Sequence, residues 1–588
     1  MALMRRTRSP EAVGFHPGPL VRPPIGRAAP GQPRLGDLLL TDGVITPTDV
    51  AGALTRQQLS GRRLGAILVD QGVIDDRVLA NALSRQFGIP MADLRRDNPE
   101  PDATGLISES AARSLMVVPL RLFDGHLDVV ISDPLDARLD ELLAVLPVRE
   151  VTLHLAPLEE LRSAINRSYR ALAEVGEHVA AFEGAEIARL PSDADPRVTI
   201  DDDAPVIQVV NKIVTQAMRD RASDIHIEPI DEHVRIRYRI DGALNQVLTL
   251  PASMAPALVS RIKIMSNMNI VERRRPQDGQ FQMTIDGRDV DVRVSTTATI
   301  WGEKAVLRLL DKSRSLYTLG ELGMPADIHH RYSQLVRSPF GMMIVSGPTG
   351  SGKTTTLYAT LTEIHRDEVN VMTIEDPVEY VFRSVNQIQI NEQADVTFAS
   401  GLKSILRQDP DVILVGEVRD VETARIAVQS ALTGHLVLSS IHATDAASAL
   451  YRLLDMGIEP FLVASAIVGV VGQRLVRRIC QSCIAPYQPT PSEMLFYQQL
   501  GGIPKPRWIH GDGCNVCAGT GYRDRIGVYE VLAVTDEVRQ MLITGASPRE
   551  LRDLVVRQGM QPLRTQALRL VSDDVTTIAE IIRTVYVV

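Results

Sequence analysis

The stretch MMIVSGPTGSGKTTTLYATL, Met342 to Leu361, decides the fold. Met342 to Ser346 is a short apolar run, Gly347 to Gly352 is a loop with three glycines, and the chain from Lys353 onward reads as a helix. The order strand, G-x-x-x-x-G-K-[ST], helix is that of a P-loop. Its glycines let backbone N–H groups turn inward around phosphate oxygens. The helix N-terminus adds the positive end of a dipole. The candidate nucleotide-binding residues are Gly347, Thr349, Gly350, Ser351, Gly352, Lys353, Thr354 and Thr355. In such a loop the lysine, Lys353, reaches the β- and γ-phosphates, and the hydroxyl of Thr354 ligates Mg²⁺.

Three further apolar runs follow the P-loop, each ending in a titratable residue. Val371-Met-Thr-Ile-Glu375 leads into Asp376-Pro-Val-Glu379-Tyr380. Asp411-Val-Ile-Leu-Val-Gly-Glu417 leads into Val418-Arg419-Asp420, and His435-Leu-Val-Leu-Ser-Ser-Ile-His442 is the third. Strands alternating with helices predict a mostly parallel sheet with ligands at the strand carboxyl ends. That edge is where a nucleotide hydrolase needs an acid for the Mg²⁺ shell, a base for water and a γ-phosphate sensor.

Before the P-loop, residues 204–312 read as a separate domain. Val206, Val209, Val210, Ile213, Val214 and Ala217 make one apolar helical face. His233-Val-Arg-Ile-Arg-Tyr-Arg-Ile-Asp-Gly242 alternates strictly, with Arg235, Arg237 and Arg239 on one side and Asp241-Gly242 as a hairpin turn. A second hairpin turns at Asp286-Gly287. Three arginines on one strand face repel each other unless something anionic lies near. The expectation is either a face with interspersed acids or a cationic wall towards a bound nucleotide.

Nearer the N-terminus the chain repeats itself. Residues 34–57 read RLGDLLLTDGVITPTDVAGALTRQ, and residues 63–86 read RLGAILVDQGVIDDRVLANALSRQ. Arg34/Arg63, Leu35/Leu64, Gly36/Gly65, Gly43/Gly72 and Gln57/Gln86 coincide in register. Paired helical units explain the repeated leucines, but not two arginines and two glycines at one register. A duplicated Arg-Leu-Gly suits a ligand that is itself doubled and anionic, because arginine forks match phosphate or a guanine edge.

The four cysteines form two knuckles, Cys480-x-x-Cys483 and Cys514-x-x-Cys517. That is a structural zinc pattern, and disulfides are disfavoured in a cytosolic chain. The chain has 588 residues, 45% hydrophobic and 23% charged, with net charge −9. Length alone predicts about three to five domains. The acidic balance argues against a general nucleic-acid binder. No apolar run is long enough to span a bilayer, and Phe461 to Gly472 reads as a buried helix. No signal peptide is expected.

The constellation resembles the type II secretion and type IV pilus assembly ATPases. The residues that carry it are GPTGSGKTTTLY, TIEDPVEY, RQDPDVILVGEVRD, TGHLVLSSIHATD, ASDIHIEP and the tetracysteine element. The repeat, with its five-residue spacer Gln58 to Arg62, resembles the tandem cyclic-di-GMP-binding motif at the N-terminus of many such ATPases; Val50 stands where that pattern favours leucine and Leu79 fits it. The resemblance implies an α/β multidomain chain: a RecA-like P-loop core with a parallel sheet, a preceding PAS-like domain, a zinc-binding insertion and helical terminal regions. The implied boundaries are a disordered basic tail 1–33, the tandem repeat 34–90, a small α/β unit 91–172, a linker 173–203, the arginine-bearing domain 204–312, the ATPase core 313–478, the tetracysteine module 479–530 and a helical region 531–588.

The resemblance further implies a cytoplasmic homo-hexamer at the inner membrane, docked on a platform protein with a cytoplasmic adaptor. It would use ATP and Mg²⁺ and take zinc and cyclic-di-GMP. Glu375 falls in the family's acidic box, Glu417 in an atypical Walker B with Gly416 in place of the usual aspartate, and His442 in its histidine box. Glu375 is the favoured base and Glu417, with Thr354, the Mg²⁺ ligand, although the base role is open between the two glutamates. Arg235 and Arg239 are candidate arginines towards the nucleotide. The cyclic-di-GMP set is Arg34, Leu35, Gly36, Gly43, Gln57, Arg63, Leu64, Gly65, Gly72 and Gln86. Retraction motors of the wider family lack the N-terminal region and the cysteines, which points to an assembly motor. A DNA translocase and a nucleotide-sensing scaffold without turnover are the rival classes.

Overall fold

The computed structural model describes residues 33–188, 205–311 and 317–585. The basic tail, apart from Pro33, lies outside them, as do residues 189–203 of the stretch read as a linker and residue 204 at the start of the next domain. The first part of that stretch is a helix, Val175–Ala188. The chain forms two compact units, Met1–Glu174 with Gly513–Gly519, and Val175–Asp512 with Thr520–Val588.

In the first unit each copy of the repeat is a helix pair: α1 (Leu35–Thr41) with α2 (Pro47–Ser60), then α3 (Leu64–Asp70) with α4 (Asp76–Phe87). The backbone repeats with the sequence. Arg34 and Arg63 are both extended residues just before a helix, and Gly43 and Gly72 share φ 68°. Thr46 and Asp75 cap the second helices, each accepting a backbone N–H three residues on. The copies differ in length: α2 has 14 residues and α4 has 12. Their shared core is small, with Leu39, Ile45, Ala53, Ile67, Leu68, Ile74 and Ala82 buried. The unit that follows is a three-stranded sheet, β1 (Val117–Phe123), β2 (His126–Ile131) and β3 (Glu150–Leu155), in that order. The helix Leu158–Ser168 buries Leu161, Ala164 and Ile165 in the core of that unit.

The second unit contains two large sheets. One is antiparallel and six-stranded: β4 (Asp224–Ile230), β5 (His233–Ile240), β6 (Ala243–Pro251), β7 (Gln277–Ile285), β8 (Arg288–Thr299) and β9 (Gly302–Asp311). Its order is β6-β5-β4-β9-β8-β7, and both expected hairpins close with two-residue turns. The helix Pro205–Arg219 packs its Val209, Val210, Ile213, Val214 and Ala217 face inward.

The other sheet carries the P-loop. It comprises β10 (Gly341–Ser346), β11 (Val371–Glu375), β12 (Asn386–Gln389), β13 (Val412–Val415), β14 (Leu436–Ile441), β15 (Ile467–Ile479) and β18 (Tyr522–Ala533). The order is β12-β11-β13-β14-β10-β15-β18, parallel throughout except for β18. β10, β11, β13 and β14 are buried at every position, as strands covered on both faces must be. Two small strands, β16 (Ile484–Tyr487) and β17 (Trp508–Gly511), pair apart from it.

Two expectations need correction. Phe461 to Gly472 is helical only to Ala466, and from Ile467 it is the start of β15. The β-branched run Ile467, Val468, Val470 and Val471 favours a pleated, buried strand. The residues from Tyr522, read with the cysteines, form β18 on the edge of the ATPase sheet. The C-terminal helices follow from Asp536, with Leu551, Val555, Ile578 and Ile581 buried.

Candidate functional site

At the end of β10 the chain turns through Gly347 to Gly352 into the helix Lys353–Ile364. Gly350 and Gly352 have φ of 77° and 85°, which L side chains rarely adopt. Gly347 is fixed for another reason: a Cβ there would stand 2.5 Å from the carbonyl oxygen of Gln473 on β15. Gln473 is buried and braces the loop from behind. Its Nε2 donates to the Ser351 carbonyl at 2.8 Å, and its Oε1 accepts from Thr356 at 2.8 Å.

Lys353 Nζ donates to the carbonyls of Gly347 at 2.9 Å and Pro348 at 3.2 Å, so the ammonium folds over its own loop. Burial pushes its pKa down, and the charge of Glu417 opposes the fall. The hydroxyl of Ser351 is buried with no hydrogen-bond partner. A positive-φ loop with a lysine over it and an unused buried hydroxyl fits a phosphate chain. Thr354 and Thr355 are half-buried at the start of the helix, and Thr349 is exposed at the loop tip.

The strand-end acids occupy two different settings. Glu375 is 3% exposed, and its carboxylate accepts from Thr373 Oγ1 at 2.7 Å, Gln387 Nε2 at 3.2 Å and the hydroxyl of Tyr358. Glu417 pairs with Arg419, and His442 Nε2 lies 3.3 Å from its Oε2. It is also the carboxylate whose charge acts on Lys353. Gly416, in place of the usual aspartate, donates its N–H to the Ile374 carbonyl at 2.8 Å, against the backbone of Glu375. Ser346 Oγ reaches the carbonyls of Ala443 and Asp445 just after His442. The structure thus brings Lys353, Glu417 and His442 together, with Glu375 beside them behind three donors.

The arginines divide unexpectedly. Arg235 and Arg237 hold Glu228 on β4, at 3.0 and 2.8 Å, and Lys304 joins them at 2.8 Å. Burial pushes the Glu228 carboxyl up, but Arg237, Lys304 and Arg235 outweigh it and bring its pKa down to about 2. Arg239 lies 3.6 Å from Asp224. Sequence reasoning missed a second pair, Arg293 on β8 and Arg308 on β9, which act on Glu379 in the loop after β11. Burial pushes Glu379 up, Arg293 and Arg308 pull it back, and Glu375 pushes it further up. Both arginines lie in alternating strands as Arg235 does, so the pattern alone offered no way to rank them.

The sulfurs of Cys480, Cys483, Cys514 and Cys517 lie within 4.8 Å of one another. Cys514 and Cys517 Sγ are 3.8 Å apart, far beyond a disulfide. The Cys514 N–H donates to Cys517 Sγ at 3.2 Å. Four soft donors in one closed cluster fit a structural zinc ion.

In the repeat, the glycines sit where helices cross. A Cβ on Gly65 would stand 2.5 Å from Leu79 Cδ1 and 3.2 Å from Leu35 Cδ2. At Gly36 the equivalent neighbours, Val50 and Leu64, are both at 3.7 Å. Arg63 pairs with Asp133 and donates to the Leu135 carbonyl at 3.2 Å; Gln57 and Gln86 are half-buried.

A P-loop backed by a parallel sheet, with an acid at each of two neighbouring strand ends, defines an ATPase of the P-loop class. A family model described as Type II/IV secretion system protein matches residues 199–583, and the MshEN domain model matches residues 87–175. The chain is 38% identical over 558 residues to the type IV pilus assembly ATPase PilB of Myxococcus xanthus (strain DK1622), covering 93% of this chain and 98% of that protein. It is 45% identical over 427 residues to the type II secretion system protein HxcR of Pseudomonas aeruginosa, covering 72% and 86%. It is 45% identical over 414 residues to type II secretion system protein E of Dickeya dadantii (strain 3937), covering 70% and 82%. The chain belongs to the type II/IV secretion system protein family. Among the described residues no helix is long and apolar enough to cross a membrane.

Proposed function

We propose that the chain is an assembly motor that couples ATP hydrolysis to building a pilus or a secretion pseudopilus. It works as a homo-hexamer in the cytoplasm, against an inner-membrane platform protein and its cytoplasmic adaptor, with no nucleic acid as partner. The observation that carries this reading is the site itself, with Lys353, Glu417, His442 and Glu375 at one sheet edge. Similarity to PilB along 98% of that protein supports it.

In this reading Lys353 and the loop amides hold the phosphates, and Thr354 and Glu417 hold Mg²⁺, which would screen phosphate charge. Glu375 polarises the attacking water, and His442, beside Glu417, senses the γ-phosphate. Arg293 and Arg308 act on Glu379 of the acidic loop within one chain, although Arg308 also pairs with Asp224 at 3.0 Å. Arg235 and Arg239 keep their proposed role towards a nucleotide only by leaving Glu228 and Asp224. The six-stranded domain is read as PAS-like, and the cysteine cluster as a zinc site. The repeat is read as a cyclic-di-GMP site, one molecule across both copies. The MshEN match begins at residue 87, so that ligand rests on the repeat's own residues, Arg34 and Arg63 foremost.

The test is phosphate release by the purified full chain. Lys353→Ala abolishes turnover. Glu375→Gln still binds ATP but loses about 10²–10⁴-fold in turnover, the usual cost of a general base. Near-normal turnover of Glu375→Gln moves the base to Glu417.

A further inference from the structure

The carboxylate of Glu375 has three donors, and two have local reasons to be there. Thr373 is two residues back on the same strand, and Gln387 sits opposite Thr373 in the β11–β12 register while also donating to the Tyr380 carbonyl. Tyr358 comes from elsewhere. It lies on the P-loop helix, five residues after Lys353, and is 2% exposed. Its ring meets Tyr380 and Phe382 edge-on, with centroids 5.8 and 5.1 Å away. Its hydroxyl donates a hydrogen bond to Glu375 Oε2 and accepts one from the backbone N–H of Glu379 at 3.3 Å.

A phenylalanine ring would fill the same space between Tyr380 and Phe382. Burying a hydroxyl there is costly unless it is used. Here its use is a bond from the helix that begins at Lys353 to the strand end that bears the proposed base. A helix is stiff over five residues, a rise of about 7.5 Å. The Tyr358 bond therefore fixes the Glu375 carboxylate in the frame of the phosphate-binding lysine. The Glu379 N–H adds the acidic loop to the same point.

We propose that Tyr358 is a positioning residue for hydrolysis, acting through Glu375 to keep the base and the bound phosphates in one geometry. The inference rests on Glu375 being the base. General-base catalysis depends on that geometry, and a misplacement of about 1 Å can cost about a hundredfold in rate.

The experiment is a double-mutant cycle on the full chain: wild type, Tyr358→Phe, Glu375→Gln and the double variant. Steady-state and single-turnover phosphate release are measured with ATP. Tyr358→Phe keeps both ring contacts, and its melting temperature is recorded alongside. The expected result is a kcat lower by about ten- to a hundredfold, with KM for ATP within about twofold. In the Glu375→Gln background the same change costs nothing further, because the group it acts through is already gone. Equal losses in both backgrounds mean a general packing effect and overturn the inference. Wild-type kcat in Tyr358→Phe beside an inactive Glu375→Gln overturns it alone. Near-normal Glu375→Gln overturns the base assignment and this inference with it.

Discussion

The P-loop and the tandem repeat both join glycines to a cation, yet the glycines serve different ends. In the P-loop, Gly347 is held against a backbone carbonyl, and Gly350 and Gly352 adopt positive φ. In the repeat, Gly65 lies close against Leu79 of its own copy and Leu35 of the other, whereas Gly36 meets Leu64 and Val50 only at ordinary distance. Helix packing accounts for Gly65, which leaves Gly36, Arg34, Arg63, Gln57, Gln86 and the turn glycines Gly43 and Gly72 as the residues whose duplication speaks for a doubled ligand. At Gly347 the obstacle includes backbone, the Gln473 carbonyl, which cannot turn aside, whereas at Gly65 it is a pair of leucine side chains.

Three sets of substitutions test that contrast. The largest effect is at the P-loop. Gly347→Ala puts a Cβ against the Gln473 carbonyl, which cannot yield without moving β15, and ATP affinity falls by about a hundredfold or more. Titration with a fluorescent ATP analogue checks it, and ordinary affinity would mean that the loop is softer than its packing. The middle effect is at the arginines. Arg34→Ala and Arg63→Ala each weaken cyclic-di-GMP by about ten- to a hundredfold, as charge-assisted contacts of about 1.5–3 kcal/mol require, and leave ATP binding intact. Calorimetry on the full chain reads this, and no heat from the wild-type chain at tens of micromolar ligand (about 10⁻⁵ M) would make the repeat purely structural.

The smallest effect separates the two copies. Gly36→Ala meets only ordinary contacts and gains helix propensity, stabilising by up to about 1 kcal/mol. Gly65→Ala must displace Leu79 and loses that gain, for a gap between the two of about 1–2 kcal/mol. Denaturant unfolding measures the gap. Val50→Leu should close it by giving Gly36 the crowded neighbour that Gly65 already has, and equal costs without that change would mean that the copies pack alike.

Much of the ATPase core was legible in the sequence because its elements are local. The P-loop, the buried runs ending at Glu375, Glu417 and His442, and both two-residue hairpin turns follow from period and turn chemistry. What escaped was pairing at long range. Gln473 reaches the P-loop from 122 residues beyond Ser351, and Tyr358 meets Glu375 across 17 residues and two elements. Arg235 and Arg293 sit in the same alternating pattern, and only the placement of β4 beside β5 gives Arg235 its Glu228 partner. β18 was obscured by the cysteines and glycines just before it. The difference in length between α2 and α4 is legible afterwards, because Gly61 and Gly88, both at φ 67°, are the αL residues that end the two helices.

β15 is one unbroken strand of 13 residues, from Ile467 to Ile479. Its first half lies beside the P-loop strand, and Gln473 near its middle grips the loop. Its last residue is followed directly by Cys480. Pairing with β18 continues to that end, with one irregularity between Arg477 and Ile479. From Gln473 to Cys480 is seven residues, about 23 Å of extended chain. The first knuckle is therefore joined by one paired strand to the residue that braces the nucleotide loop, and a load applied at Cys480 would be felt at Gln473 through that strand alone.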